Sequence, residues 1–84
     1  MSKIATGKVE VLYVHEVTRI GLSDTIDVLP KDSEFVLRRD HPNFNALYSM
    51  ALSAAINHYT LRIGTTTEIT PGEEAEVERM WIRW

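Results

Sequence analysis

Residues 40–58 of the chain read DHPNFNALYSMALSAAINH, a stretch with the pattern of one helix. Pro42 suits the first turn of a helix, and polar residues beside it can act as the cap. Asn57 and His58 suit its end, because asparagine tolerates the left-handed conformation that commonly follows a last helical turn. In between, apolar residues recur at helical spacing: Phe44, Leu47, Tyr48, Met50, Ala51, Leu52, Ala54, Ala55 and Ile56. One helix, apolar nearly all round, is predicted.

The first strand before this helix is predicted at residues 7–16, which are rich in β-branched and aromatic types. Alternation places one apolar set inward (Val9, Val11 and Tyr13) and a second apolar set outward (Leu12 and Val14). The second half of this strand is therefore apolar on both faces, and we expect something to cover the outer one.

The second strand is predicted after a break in the pattern at Gly21. Residues 25–29 alternate, which places Ile26 and Val28 inward, and Pro30 ends the strand. With the first strand and the one that follows Pro30, it is expected to form an antiparallel meander.

Three further strands are predicted at residues 34–38, 59–63 and 77–84. Phe35 and Leu37 face inward in the first of these. In the last one, a shared face carries Met80, Ile82 and Trp84, whereas Trp81 lies on the opposite face. A short helical turn is predicted at residues 71–76, because a threonine that can cap it and a proline at its first position precede a glutamate.

Strand-strand-strand-helix-strand-strand is the order of the OB-fold, a five-stranded antiparallel Greek-key barrel with its helix between strands 3 and 4. Short connections favour a closed barrel over an open sheet with exposed edges. A two-layer α+β sandwich permits the same order. Because 84 residues leave room for one core only, we predict a single OB-like domain over residues 1–84.

The run DHPN at residues 40–43, followed by NALY at residues 45–48, an alanine-rich helix and a terminal tryptophan, resembles a group of small, uncharacterised bacterial proteins. The resemblance implies a fold shared with the OB-like B subunits of bacterial AB5 toxins, in which five copies form a ring and bind glycans. It implies a glycan or another small ligand as partner, and it brings no catalytic residue.

The charge and cysteine content exclude some classes of function. The net charge of −3 disfavours nucleic acid, because phosphate binding draws its affinity from basic side chains. The absence of cysteine removes disulfides and thiolate metal sites and suits a reducing compartment, so a cytoplasmic location is expected. No run is suited to a signal peptide or to a membrane span, and no membrane partner is predicted.

No constellation of residues points to catalysis. The spacing of His15, His41 and His58 fits no metal motif. No serine lies in the elbow-like setting that acyl-transfer enzymes use. We therefore predict a protein that is not an enzyme and that uses no metal or other cofactor.

Trp81 is the aromatic residue that the pattern turns away from the core, and it lies between Arg79 and Arg83, where cation–π stacking is possible. These three residues are predicted to form the recognition surface of a non-enzymatic binding or assembly module. The alternative is a single-stranded nucleic-acid-binding protein that uses the same aromatic residues.

The chain carries more apolar surface than one small core obviously needs. Leu12, Val14, Val36 and Trp81 face away from the predicted core, and the helix adds to them. Large apolar patches on a soluble domain usually mark a partner. We predict a homo-oligomer that associates through these residues, the helix or a strand edge.

Overall fold

The computed structural model describes residues 2–83, with every side chain in this range except that of Arg83. Its elements are β1 (Ile4–Val14), β2 (Thr18–Ser23), β3 (Glu34–Leu37), α1 (Phe44–Asn57), β4 (Thr60–Thr65) and β5 (Ala75–Arg83). A single 3-10 turn, Lys31–Ser33, precedes β3. Trp84, predicted to share the face of Met80 and Ile82 in the last strand, lies outside the described residues.

The strands close into one barrel in the order β1-β2-β3-β5-β4, and β4 pairs with β1 to complete the ring. β3 and β5 run parallel through the pairs Phe35–Ala75 and Val36–Glu76. The other neighbouring strands are antiparallel. The predicted fold class, a mainly β five-stranded barrel with one helix between strands 3 and 4, is confirmed. Because the sheet closes on itself, the two-layer sandwich is excluded.

Alternate strand residues fill the barrel, and α1 adds to its core. The largest fully buried apolar side chains are Phe35, Ile20, Leu37, Leu61 and Ile63. The inward positions predicted for Phe35 and Leu37 are thus confirmed. From α1, only Leu47 and two alanines are buried, so this helix packs close to the barrel through small side chains.

A β-bulge in β1 reverses the predicted facing of that strand's second half. Val9 lies opposite Leu22, whereas Val11 lies opposite Gly21, so Glu10 is the extra residue. Strict alternation assumes that each residue of one strand lies opposite one residue of the next. At a bulge, two residues lie opposite one, so every side chain after it points to the other face.

Beyond the bulge, Leu12 lies opposite the buried Ile20 and packs against the core. Val11 and Tyr13 are 40% and 47% exposed. The inward positions predicted for Val11 and Tyr13, and the outward position predicted for Leu12, are therefore wrong.

The second strand is also not where the pattern placed it. Residues 25–29 are not a strand, and β2 instead runs through Gly21. A Cβ on Gly21 would lie 3.0 Å from the Cβ of Val11, across from the bulge. Glycine inside a strand often marks a bulge or a close approach of this kind, so Gly21 does not break the strand.

Residues 25–29 form a loop that Asp27 anchors to β1. The Asp27 carboxylate accepts the backbone N–H of Thr6 at 2.7 Å, which supplies the acceptor that a neighbouring strand would otherwise provide. With Asp27 turned toward the barrel, Ile26 is fully exposed and Val28 is 54% exposed. Their predicted inward positions are wrong.

The predicted helical turn at residues 71–76 is a β-turn instead. The N–H of Glu73 donates to the carbonyl of Thr70 at 3.1 Å, and Gly72 has a φ of +85°. Pro71 and Gly72 at the two central positions are typical of a type II turn. With this positive φ, Gly72 cannot be part of a right-handed helix.

The ends of α1 lie close to the predicted ones. Its start uses a histidine: Nδ1 of His41 accepts the N–H of Asn43 at 3.0 Å. At its end, His58 and not Asn57 takes the left-handed conformation, with a φ of +57°. No helix in the described part of the chain is long and apolar enough to cross a bilayer.

Candidate binding site

The outer face of β1, β4 and β5 brings aromatic and cationic side chains together. Thr6 lies opposite Arg62, and Arg62 lies opposite Trp81, so the three form one row across the sheet. Arg79 precedes Trp81 by two residues and therefore shares its side of β5. We call these four residues the Trp81 face.

Two guanidinium groups lie over the half-buried ring of Trp81. The Cζ atom of Arg62 is 5.5 Å from the ring centroid, and that of Arg79 is 5.7 Å from it. Both distances are within the range of a cation–π interaction. A Cβ on Gly64 would lie 2.9 Å from the Cγ of Arg79, so the glycine gives that side chain room to lie against the sheet.

In the part of the chain that the structure describes, Arg62 is the cation of this face that has no acidic partner. Its Nε donates to Oγ1 of Thr6 at 3.1 Å. Within residues 2–83, no carboxylate makes a salt bridge to it. Arg79, by contrast, pairs with Glu78 at 2.7 Å. A bound anion would therefore find a half-buried guanidinium with N–H groups to spare.

A concavity of about 440 Å³ lies beside β2 and β3, on the side where OB-folds bind oligonucleotides and oligosaccharides. Its lining comes from the β1–β2 turn, the end of β3 and the start of β5: Glu16, Val17, Val36, Arg38, Arg39, Asp40, Glu74 and Glu76. Four carboxylates face two guanidiniums there. We call this concavity the acidic cleft.

The acidic cleft pairs some of its charges internally. Arg38 donates to both carboxylate oxygens of Asp40, at 3.0 and 3.2 Å. This hydrogen bonding, and then the charge of Arg38, lowers the pKa of the Asp40 carboxyl below its ordinary value. The pair stabilises the fold at pH values above the ordinary pKa of aspartate, and this contribution is lost as the pH falls through the lowered pKa. The effect is small because both side chains are exposed. Arg19 at the cleft edge pairs with Glu74 at 3.0 Å. A polyanion would meet uncompensated negative charge at this cleft.

The fold is assigned from the strand topology alone, because comparison with known proteins found no match. No protein-family model, curated protein or solved structure matches the chain. The closed five-stranded barrel, with its helix between strands 3 and 4, is OB-like by its own strand order.

The structure brings two of the three predicted recognition residues together. Trp81 and Arg79 are in contact as the spacing indicated, whereas the side chain of Arg83 lies outside the described residues. Sequence reasoning missed Arg62 as a partner of Trp81. Because Leu61 faces inward, alternation predicts that Arg62 faces outward. Only the pairing register of β4 with β5 shows that Arg62 lies opposite Trp81.

The four residues predicted for an oligomer interface do not form one surface. Leu12 packs against the core, and Val14 lies at the end of β1 with 51% exposure. Val36 is only 6% exposed, beside the acidic cleft. Trp81 lies on β5 under its arginines. Self-association, and the part these residues play in it, stays a prediction.

The three histidines lie in different segments of the fold. His15 is in the β1–β2 turn, and His58 caps the end of α1. Nε2 of His41 lies 2.9 Å from the carbonyl of Glu78, which ties the start of α1 to β5. Among residues 2–83, no three histidine, aspartate or glutamate side chains cluster so as to hold a metal ion.

Proposed function

We propose that this chain is a non-enzymatic binding module that recognises an acidic saccharide through the Trp81 face. The observation that carries the proposal is Arg62: a half-buried guanidinium that lies over an aromatic ring and has no carboxylate partner within residues 2–83. Guanidinium groups favour carboxylates and phosphates, because their planar N–H groups bind two oxygens at once.

Two further features favour a saccharide among the possible anions. Thr6 and Thr60 add hydroxyl groups to the outer face of β1 and β4, and such groups exchange hydrogen bonds with sugar hydroxyls. The fold implied by the sequence resemblance is shared with OB-like subunits that bind glycans, which favours the same class of ligand. The Trp81 ring has a supporting role, because it fixes the positions of the two guanidiniums.

Arg62→Gln is expected to weaken binding of trigalacturonic acid about tenfold or more, because it removes a charge-assisted pair. Titration calorimetry measures the effect. The matched control is Arg19→Gln, which removes a half-buried arginine on β2 that already pairs with Glu74 and should leave the affinity unchanged. Equal affinity of the wild type and Arg62→Gln would contradict the proposal. So would tighter binding of a neutral galactose trisaccharide.

A single-stranded nucleic acid is the second candidate, since the same face combines an aromatic ring with two arginines. The acidic cleft counts against it, because it places four carboxylates where OB-folds commonly bind oligonucleotides. An oligothymidylate that changes tryptophan fluorescence at low salt, with affinity that falls steeply as salt is added, would favour this candidate. Unchanged fluorescence at low salt would remove it.

We further propose that the module self-associates through the exposed side of α1. Leu52 is 40% exposed and Ile56, one turn later, is 68% exposed. The helix has no charged residue, in a chain of which 25% of residues are charged. Two copies of such a surface meet without repulsion between like charges, which makes a second copy of this chain the best match for it.

Light scattering is expected to show an oligomer for the wild type and a monomer for Ile56→Lys, because a lysine at this position would bring two positive charges together in a symmetric contact. Val28→Lys is the control, since Val28 is similarly exposed, at 54%, in the loop after β2. It should assemble like the wild type. A wild-type protein that stays monomeric at high concentration rules out this part of the proposal.

A further inference from the structure

A cavity of about 290 Å³ lies where the first turns of α1 meet the end of β1 and the start of β2. Its lining is Val14, Thr18, Arg39, Phe44 and Tyr48. The two aromatic rings stack with centroids 6.2 Å apart and an angle of 13° between their planes. The volume is at the lower end for ligand pockets, which are roughly 300–1,000 Å³. The cavity therefore suits a small molecule with an apolar body.

Thr18 gives this apolar cavity an unsatisfied polar group. The residue is fully buried, and its Oγ1 has no hydrogen-bond partner among residues 2–83. Native proteins rarely leave a buried hydroxyl in this state, and each instance calls for an explanation. Thr18 belongs to the cavity wall, so a bound molecule that carries oxygen and displaces the side chains covering the hydroxyl would satisfy it.

Arg39 gives the rim of the cavity a positive charge. It forms no salt bridge within residues 2–83, and its only hydrogen bond there is a long one, 3.4 Å, to the carbonyl of His15. Its neighbour Arg38 is already paired with Asp40. The cation at the rim is therefore available to a ligand.

The start of α1 adds donors on the same side. A second concavity, of about 400 Å³, meets the first at Arg39 and Phe44 and runs along the first turn of the helix. The side chain of Asn43 makes no capping hydrogen bond. The N–H groups of Asn45 and Ala46 have no acceptor among residues 2–83. Free N–H groups at a helix start favour an anion.

We infer that this cavity binds a small carboxylate with an apolar body, using Arg39 and the start of α1 for the carboxylate and Val14, Phe44 and Tyr48 for the body. The Thr18 hydroxyl donates one hydrogen bond to the carboxylate at the cavity wall. The site shares no residue with the Trp81 face, so its test is independent of the proposed saccharide binding.

Benzoate tests the inference, with benzyl alcohol as its uncharged counterpart. In a titration followed by amide ¹H–¹⁵N shifts, benzoate should shift the amides of Thr18, Arg39 and residues 44–48 in a saturable way. For a ligand of this size, a dissociation constant on the order of 1 mM is expected. Benzyl alcohol should bind about tenfold more weakly, because it lacks the charge that Arg39 binds. Shifts confined to other residues, or equal binding of both compounds, would overturn the inference.

Two variants separate the two polar contributions. Arg39→Gln should reduce benzoate binding about tenfold, to the level of benzyl alcohol, whereas Arg38→Gln should leave it unchanged. Thr18→Val keeps the shape of the side chain and should reduce binding about threefold to fivefold, with a melting temperature no lower than that of the wild type, because an unsatisfied hydroxyl is removed. Benzoate affinity that is the same in the wild type, Arg39→Gln and Thr18→Val would refute the site.

Discussion

Phe35→Ala is expected to lower the free energy of unfolding by about 4 kcal/mol, because truncation of a buried phenylalanine removes apolar contacts and leaves a cavity. Phe35 is fully buried, and its register partners are Ile20 on β2 and Ala75 on β5. Ala75 is too small to fill the space, and a barrel closed by hydrogen bonds collapses less readily than an open sheet. A domain of 84 residues has about 4 to 13 kcal/mol of stability in total, so the variant should be close to unfolding.

The matched control for this prediction is the next residue along the chain. Val36→Ala also removes a buried apolar group, but Val36 lies on the outside of β3, beside the acidic cleft, and is 6% exposed. Val36→Ala should lower the free energy of unfolding by about 1.5 kcal/mol, because it removes two buried methyl groups. Urea unfolding followed by circular dichroism compares the two variants. If Val36→Ala were the more damaging one, the assigned inner and outer faces of β3 would be reversed.

The elements that sequence reasoning located well are those set by local periodicity. The helix predicted within residues 40–58 is α1, Phe44–Asn57, and the strand predicted at residues 34–38 is β3, Glu34–Leu37. In both, the side chains repeat with the period of the element, and a buried stripe needs no information from elsewhere in the chain. The order of elements, and with it the fold class, follows from such local signals.

The elements that it misplaced depend on contacts between distant residues. Gly21 resembles a strand break until the bulge in β1 brings Val11 against it. Residues 25–29 alternate like a strand, but the carboxylate of Asp27 binds the N–H of Thr6 and draws the polar side inward. Neither the bulge nor this hydrogen bond has a signature in the local pattern.

The same division applies to the candidate site. Arg79 and Trp81 lie two residues apart on one strand, so their shared face was predictable. Arg62 meets Trp81 only through the register of β4 with β5, and that register shifts at Gly64 and Thr65. Alternation alone predicts which residues of each strand face outward. It does not predict which residues of two neighbouring strands lie opposite each other.

Gly7→Ala is expected to lower the free energy of unfolding by about 3 kcal/mol, the upper part of the range for overpacking a core. A Cβ on Gly7 would lie 2.5 Å from the carbonyl oxygen of Ser23, a backbone atom that cannot move without its strand. The contact arises where β1 changes partner: Lys8 lies opposite both Thr60 on β4 and Ser23 on β2. Ser23 is the last residue of β2, so the end of that strand lies against Gly7.

Gly21→Ala separates this close approach from the general effect of replacing a buried glycine. Both substitutions reduce the freedom of the unfolded chain equally, which by itself favours folding by about 0.4–1 kcal/mol. At Gly21, however, the added Cβ would meet the Cβ of Val11 at 3.0 Å, and that exposed side chain can shift by a few tenths of an ångström. We therefore expect Gly21→Ala to cost about 1 kcal/mol or less in the same urea experiment. Equal losses in the two variants would mean that the end of β2 does not lie against Gly7.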